Sequence, residues 1–134
     1  MFDPKSFTLE GQIALVTGAG AGIGKGIAEM FAAAGASVVV SDLKQETADA
    51  VAAGILERGG KAVGIACNVT KEADLEAAVQ AAVEQFGGLT ILVNNAGGGG
   101  PKPFEMPMED FRWAYELNVF APFRLTQLAV PHME

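Results

Sequence analysis

Apolar positions along the chain alternate between two periods. Residues 13–16, 37–41, 62–66 and 90–93 are short runs rich in β-branched side chains with Gly, Asn or Asp close to their ends, which predicts four strands. Between them, Ala48, Val51, Ala52, Ile55 and Leu56 recur at the spacing of one buried helical stripe, and Gly59 and Gly60 end it. Leu75, Ala78, Val79, Ala82, Val83 and Phe86 repeat the pattern. Thr70 is the expected N-cap of that helix, Glu72 and Asp74 occupy its first turn, and Gly87 and Gly88 terminate it. A further helix over 24–34 turns Ile27, Ala28, Phe31 and Ala32 inward and stops at Gly35.

Strand and helix in strict alternation predict right-handed crossovers, hence an α/β fold: a Rossmann-type, doubly wound parallel sheet with helices on both faces. The glycine-rich loop over 97–103 follows the fourth strand, where an open α/β sheet keeps its ligands. The last segment, 108–133, carries Phe111, Trp113, Tyr115, Leu117, Phe120, Phe123, Leu125 and Leu128 around most of its circumference. Such a helix expects cover on nearly all sides, and Pro122 should kink it.

Composition narrows the function. The 134 residues, half of them apolar, suffice for one core and not two. Sixteen acidic against nine basic residues give a net charge of -7 with no basic cluster, so a nucleic-acid partner is not expected. Cys67 is the only cysteine, which excludes an internal disulfide and fits a cytoplasmic location. No apolar run approaches the roughly 18 residues of a membrane span, and the first residues contain no secretory h-region. His132 has no companion at metal-ligand spacing, so no metal is expected. Cys67 reads as a small buried hydrophobe.

Chemistry concentrates in Thr17-Gly18-Ala19-Gly20-Ala21-Gly22-Ile23-Gly24, which follows the first strand and opens a helix. A pyrophosphate needs such a place: free N–H groups, the positive end of a helix dipole, and no side chain blocking the backbone. The glycines at 18, 22 and 24 supply the tight turn, the close approach and the helix packing. The nucleoside-triphosphate loop fails, because Gly24-Lys25 is followed by Gly26 and Ala19 stands where its first glycine belongs. Asp42 ends the second strand, where an acid accepts hydrogen bonds from adenosine ribose hydroxyls and repels a 2′-phosphate, so NAD is expected over NADP. Lys44 works against that repulsion, and Asp42 also reads as a plain turn residue.

The spacing G-x-x-x-G-x-G at 18, 22 and 24, with Asp42, Asn68-Val69, Asn94-Asn95-Ala96-Gly97 and Asn118, resembles the short-chain dehydrogenases/reductases. The loop from Gly97 and the Y-E-L-N-V-F run after it resemble the hydroxysteroid dehydrogenases of that family acting at the 7-alpha position. The resemblance implies that Ile23 lies against the pyrophosphate, that Asp42 and Leu43 flank the ribose, and that Asn68 and Val69 meet the adenine. It also implies that Asn95, Ala96 and Gly97 line the cofactor cleft and that Asn94 and its neighbours tie the central strands together. Gly99 would stand at the mouth of the substrate pocket, unless it is plain loop. Asn118 would be the one catalytic-group member present, holding a main-chain kink and a proton-relaying water; it also reads as a polar interruption of a buried helix. Where the family usually has Asp, this chain has Asn68, whose amide can still donate to and accept from an adenine edge.

Oxidation of an alcohol needs a base of suitable pKa. The family uses a Tyr with a Lys four residues later and a Ser; the only tyrosine here, Tyr115, is followed at that spacing by Val119. The resemblance therefore implies an NAD-binding Rossmann portion, 1–134, of a single-domain dehydrogenase, with strands five to seven and the Ser, Tyr and Lys lying beyond it. Three readings stand: half of an NAD-dependent dehydrogenase acting on a secondary alcohol or its ketone, such as a 7-alpha-hydroxysteroid or bile acid; a non-catalytic NAD-binding module; and an interaction fragment. With strand four an edge and the last helix uncovered, poor solubility or self-association is expected, and the resemblance implies a homo-oligomer through the C-terminal helix.

Overall fold

The computed structural model describes residues 6–98 and 104–134. Four parallel strands form one sheet in the order β3-β2-β1-β4: β1 is Ile13–Val16, β2 Ser37–Asp42, β3 Lys61–Ala66 and β4 Ile91–Val93. Register runs Leu15 against Val39 and Leu92, and Val39 against Val63. Helices α1 (Gly22–Ala33), α2 (Gln45–Glu57) and α3 (Glu72–Phe86) connect them; the four strands, α1 and α3 fall within about two residues of the positions their periodicity predicts, and α2 begins three residues ahead of its stripe.

Alternation along the central strands splits the core in two. Ala14, Val16, Val38 and Val40 face α1 and α2, burying Ala28, Ala32, Ala48, Val51 and Ile55. Leu15 and Val39 face the other way, toward Leu75, Ala78, Val79 and Ala82 of α3 and toward Ala121, Leu125 and Ala129. Both α1 and α3 end as predicted, on Gly35 and Gly87 with φ of 108° and 90°, conformations that glycine takes without strain.

Two predictions need correction. Thr70 does not cap α3: Lys71 is the N-cap residue and makes no side-chain cap bond, because the Thr70 hydroxyl donates instead to Asn68 Oδ1 at 2.6 Å. The last segment is also not one kinked helix. It runs as α4 (Met108–Tyr115), a π-helical turn over Glu116–Phe120, α5 (Ala121–Ala129) and a 3-10 turn over Val130–His132. The wide turn falls just ahead of Pro122, whose ring crowds the carbonyl four residues back; Ala121 N–H reaches Glu116 O, five back. No described helix is long and apolar enough to cross a membrane.

The β3 edge is closed by a side chain. Cys67 N–H points into the sheet, to Asp42 O at 2.7 Å, so the alternation of the strand turns Gly64 C=O and Ala66 N–H outward. Gln45, at the start of α2, meets both: its Nε2 donates to Gly64 O at 3.0 Å and its Oε1 accepts from Ala66 N–H at 2.9 Å. The primary amide thus reproduces the donor and acceptor of a neighbouring strand.

Candidate cofactor cleft

The carboxyl ends of β1 and β4 are locked by Thr17, a buried residue that no sequence pattern singles out. Its hydroxyl accepts the N–H groups of Asn95 at 3.1 Å and Ala96 at 2.9 Å, and its own N–H donates to Val93 O at 3.1 Å. Asn95 reaches across to donate from Nδ2 to Gly18 O at 3.1 Å. The strand tie expected of Asn94 and its neighbours is therefore made by Asn95, while Asn94 Nδ2 donates to Thr126 Oγ1 at 3.3 Å.

Between these braces the chain turns through Gly18 and Gly22, with φ of 62° and 57°, and enters α1. A Cβ on Gly24 would collide with the Gly18 carbonyl and the Asn95 amide, which is why the helix can start flush against the turn. The N-cap residue, Ala21, contributes no side-chain bond and the first turn contains no acid. The first N–H groups of α1 and its dipole are thereby available to an anion.

The other wall comes from the ends of β2 and β3. Asp42 accepts the Gly20 N–H on Oδ1 at 3.3 Å, and Ala19 N–H donates to Ser41 O at 2.8 Å, so β2 holds the glycine turn from below. Asn68 is fixed by its neighbours: Asp74 Oδ2 accepts its N–H at 2.9 Å and its Oδ1 accepts the Thr70 N–H at 3.0 Å. Burial pushes the Cys67 thiol up to about 11, a rise that the Ser41 hydroxyl opposes and the Asp74 charge reinforces. Cys67 therefore stays protonated, a small apolar filler.

A cleft of about 400 Å³ opens between these walls. Of the residues singled out from sequence, Gly18, Asp42, Leu43, Asn68, Val69, Asn95, Ala96 and Gly97 line it. Gly22, Ile23 and Gly24 stand apart from its lining; Ile23 sits in the first turn of α1 and is 78% exposed. Asn118 also lies outside it. In the π-helical turn it donates from Nδ2 to Gly98 O at 3.2 Å and to Ala114 O at 2.9 Å, tying the loop after β4 to the helix beyond. Gly99 lies outside the described residues. Sequence reasoning missed Cys67, Thr70, Gly98, Trp113 and Leu117 in the lining; no local pattern marks Trp113 or Leu117, which stand twenty or more positions past β4 in the chain.

A nucleotide-sized cleft at the carboxyl ends of parallel strands, with a glycine turn opening onto a helix N-terminus, defines a dinucleotide-binding α/β protein. The chain belongs to the short chain dehydrogenase family, whose model matches residues 12–134. It is 55% identical over its whole length to 7alpha-hydroxysteroid dehydrogenase of Escherichia coli K12, covering 52% of that protein. It is 44% identical over 126 residues to 4-formylbenzenesulfonate dehydrogenase of Comamonas testosteroni, covering 92% of this chain and 50% of that protein. Among solved structures, a 7alpha-hydroxysteroid dehydrogenase complexed with NADH and 7-oxo glycochenodeoxycholic acid superposes with a TM-score of 0.96 at 55% identity. That match covers 99% of this chain and 52% of the other. The chain spans about half the length of the curated relatives it matches.

Proposed function

We propose that these residues form the NAD-binding portion of a single-domain, NAD-dependent oxidoreductase that moves a hydride between the cofactor and a secondary alcohol or its ketone. The substrate class is a 7-alpha-hydroxysteroid of bile-acid type. The observation that carries the cofactor reading is Asp42: a carboxylate in the cleft wall, bonded to the glycine turn through Oδ1. The NADH complex of a relative 55% identical supports both cofactor and substrate class.

The residues divide the dinucleotide among them. Gly18, Gly22, Ile23 and Gly24 hold the pyrophosphate by backbone approach and the α1 dipole. Asp42 and Leu43 take the adenosine ribose, Asn68 and Val69 the adenine, and Asn95, Ala96 and Gly97 the cleft floor toward the nicotinamide. Asn118, as the catalytic-group member, holds the bend between α4 and α5 and the proton-relaying water beside it. NAD supplies the hydride acceptor when bound. A proton acceptor for the substrate hydroxyl is a separate need: Tyr115 packs its ring 5.1 Å from that of Phe111 and has Val119, not a Lys, four residues on. Residence in the cytoplasm goes with this reading.

Calorimetric titration with NAD and NADP, beside Asp42→Ala, tests it. The expected result is preferential NAD binding whose preference the variant loses. A folded chain that ignores NAD, or an unchanged preference in the variant, refutes it.

The exposed aromatic face favours a second property, homo-oligomerisation through the C-terminal helical segment. Phe120 and Phe123 are 55% and 66% exposed, and the rings of Tyr115 and Phe111 continue the patch from Phe120. Sedimentation of the Phe120→Glu, Phe123→Glu double variant should show the association weakened; unchanged association sinks this reading.

A further inference from the structure

Gly20 is not one of the glycines the phosphate turn requires, and its backbone does not lie in the left-handed region that the turn imposes on Gly18 and Gly22. Backbone conformation therefore gives no reason for a glycine at this position. Its surroundings do. A Cβ on residue 20 would stand 2.5 Å from Thr47 Cγ2, 2.7 Å from Asp42 Cγ and 2.8 Å from Asp42 Oδ2, all closer than side chains pack. The N–H of the same residue donates to the other carboxylate oxygen, Oδ1, at 3.3 Å. One residue thus touches both oxygens of Asp42: its bare Cα packs against Oδ2 and its N–H fixes Oδ1.

The space is shared with Thr47, half-buried in the first turn of α2 next to the fully buried Ala48. Thr47 is β-branched and stiff at χ1, so it yields little when crowded. Asp42 is held on its backbone side as well, because its carbonyl accepts the Cys67 N–H at 2.7 Å. The part free to yield to a side chain at position 20 is the Asp42 carboxylate, the group that faces the ribose.

We infer that Gly20 is a specificity-determining positioning residue for the adenosine end of the dinucleotide, setting the choice between NAD and NADP through the Asp42 carboxylate. The inference rests on the NAD reading above. A methyl at position 20 swings the carboxylate out of its place, so the ribose hydroxyls lose their acceptor and a 2′-phosphate loses its repulsion. Position 20 then acts on cofactor choice without touching the cofactor.

A double-mutant cycle tests this: Gly20→Ala and Asp42→Ala, singly and together, each titrated with NAD and with NADP. Reading the ratio of two ligands in one variant cancels general losses of affinity. Gly20→Ala should lower the NAD-over-NADP ratio about tenfold, the worth of one hydrogen bond to a charged group, and should change nothing further once Asp42 is alanine. An unchanged ratio in Gly20→Ala overturns the proposal, as does an equal fall in the Asp42→Ala background, which marks plain distortion of the turn. A Gly20→Ala chain that fails to fold overturns it too, since the unstrained backbone leaves only side-chain tips to displace. A parent chain that prefers NAD while Gly20→Ala keeps that preference defeats this proposal alone. A parent that binds neither dinucleotide defeats the functional reading, and this proposal with it.

Discussion

The two edges of the sheet are built differently. At the β3 edge, Gln45 occupies two of the outward backbone groups of the strand, and α2 lies so close that a Cβ on Gly64 would stand 2.8 Å from the Ala48 carbonyl carbon. That edge is finished by residues less than two dozen positions away in the chain. At the β4 edge the strand is only three residues long, and its support arrives from far along the chain: α5 covers the adjacent core face, and Thr126 of α5 accepts from Asn94 at 3.3 Å. Beside it the aromatic face of α4 and the π-helical turn stands in solvent. A capped edge resists pairing with another chain, whereas a short, uncapped edge beside exposed apolar surface invites it. For the homo-oligomer proposed above, the contrast points to the β4 side of the molecule as the place of contact.

The strongest way to break this contrast is to remove what supports the β4 side. Leu125 is 1% exposed and is the largest fully buried side chain of α5. Leu125→Ala should cost about 3 kcal/mol of unfolding free energy, the scale of a buried leucine replaced by a cavity, read from the midpoint and slope of urea denaturation. A loss below about 1 kcal/mol, the scale of a surface change, would show that α5 is not the anchor of that side.

Opening the other edge should cost less. Gln45→Ala strips partners from Gly64 C=O and Ala66 N–H, but both are partly reachable by water, so about 1 kcal/mol is expected. The informative readout is sedimentation. The variant should gain an association that mutations at Phe120 and Phe123 do not relieve, because the new contact lies across the sheet from them. If Gln45→Ala associates no more than the parent, the amide is not what closes the edge.

The difference between the edges also separates what the sequence discloses from what it hides. Strands and their connecting helices are legible because a buried face imposes its period on every residue, and the phosphate turn is legible because glycines at 18, 22 and 24 answer local backbone needs. Gln45 is invisible by the same logic: a glutamine in a first helical turn reads as solvated surface, and only the placement of β3 gives its amide two backbone partners. Thr17 is hidden likewise, since its hydroxyl serves residues 95 and 96, just past the end of β4 and nearly eighty positions away. The π-helical turn escaped because the proline that signals a disturbance does not say which widening will absorb it. Thr70 misled because a hydroxyl before a helix satisfies the capping pattern even when a nearer acceptor, Asn68 Oδ1, takes it.

The smallest expected effect sharpens how α5 is held. Arg124 bonds Glu72 of α3 through Nε, at 2.7 Å to Oε1 and 3.0 Å to Oε2, and Nη2 lies 2.5 Å from Oε1. The Arg124 hydrogen bonds lower the Glu72 pKa below its ordinary value, and the same contact raises that of Arg124. A carboxyl depressed in the folded state stabilises it fully above the unfolded-state pKa, and that contribution disappears as pH falls through the folded value. The pair lies at the surface, where water and salt screen it, so it steers α5 more than it holds it. Glu72→Gln should therefore lower the denaturation midpoint slightly at neutral pH and low salt. The gap to the parent should close in acid, below the ordinary glutamate range, and close again at neutral pH in molar salt. A gap that persists under both conditions would mean that Glu72 acts by packing and not by charge. The hold on the β4 side would then rest on the apolar contacts of Leu125 and its neighbours alone.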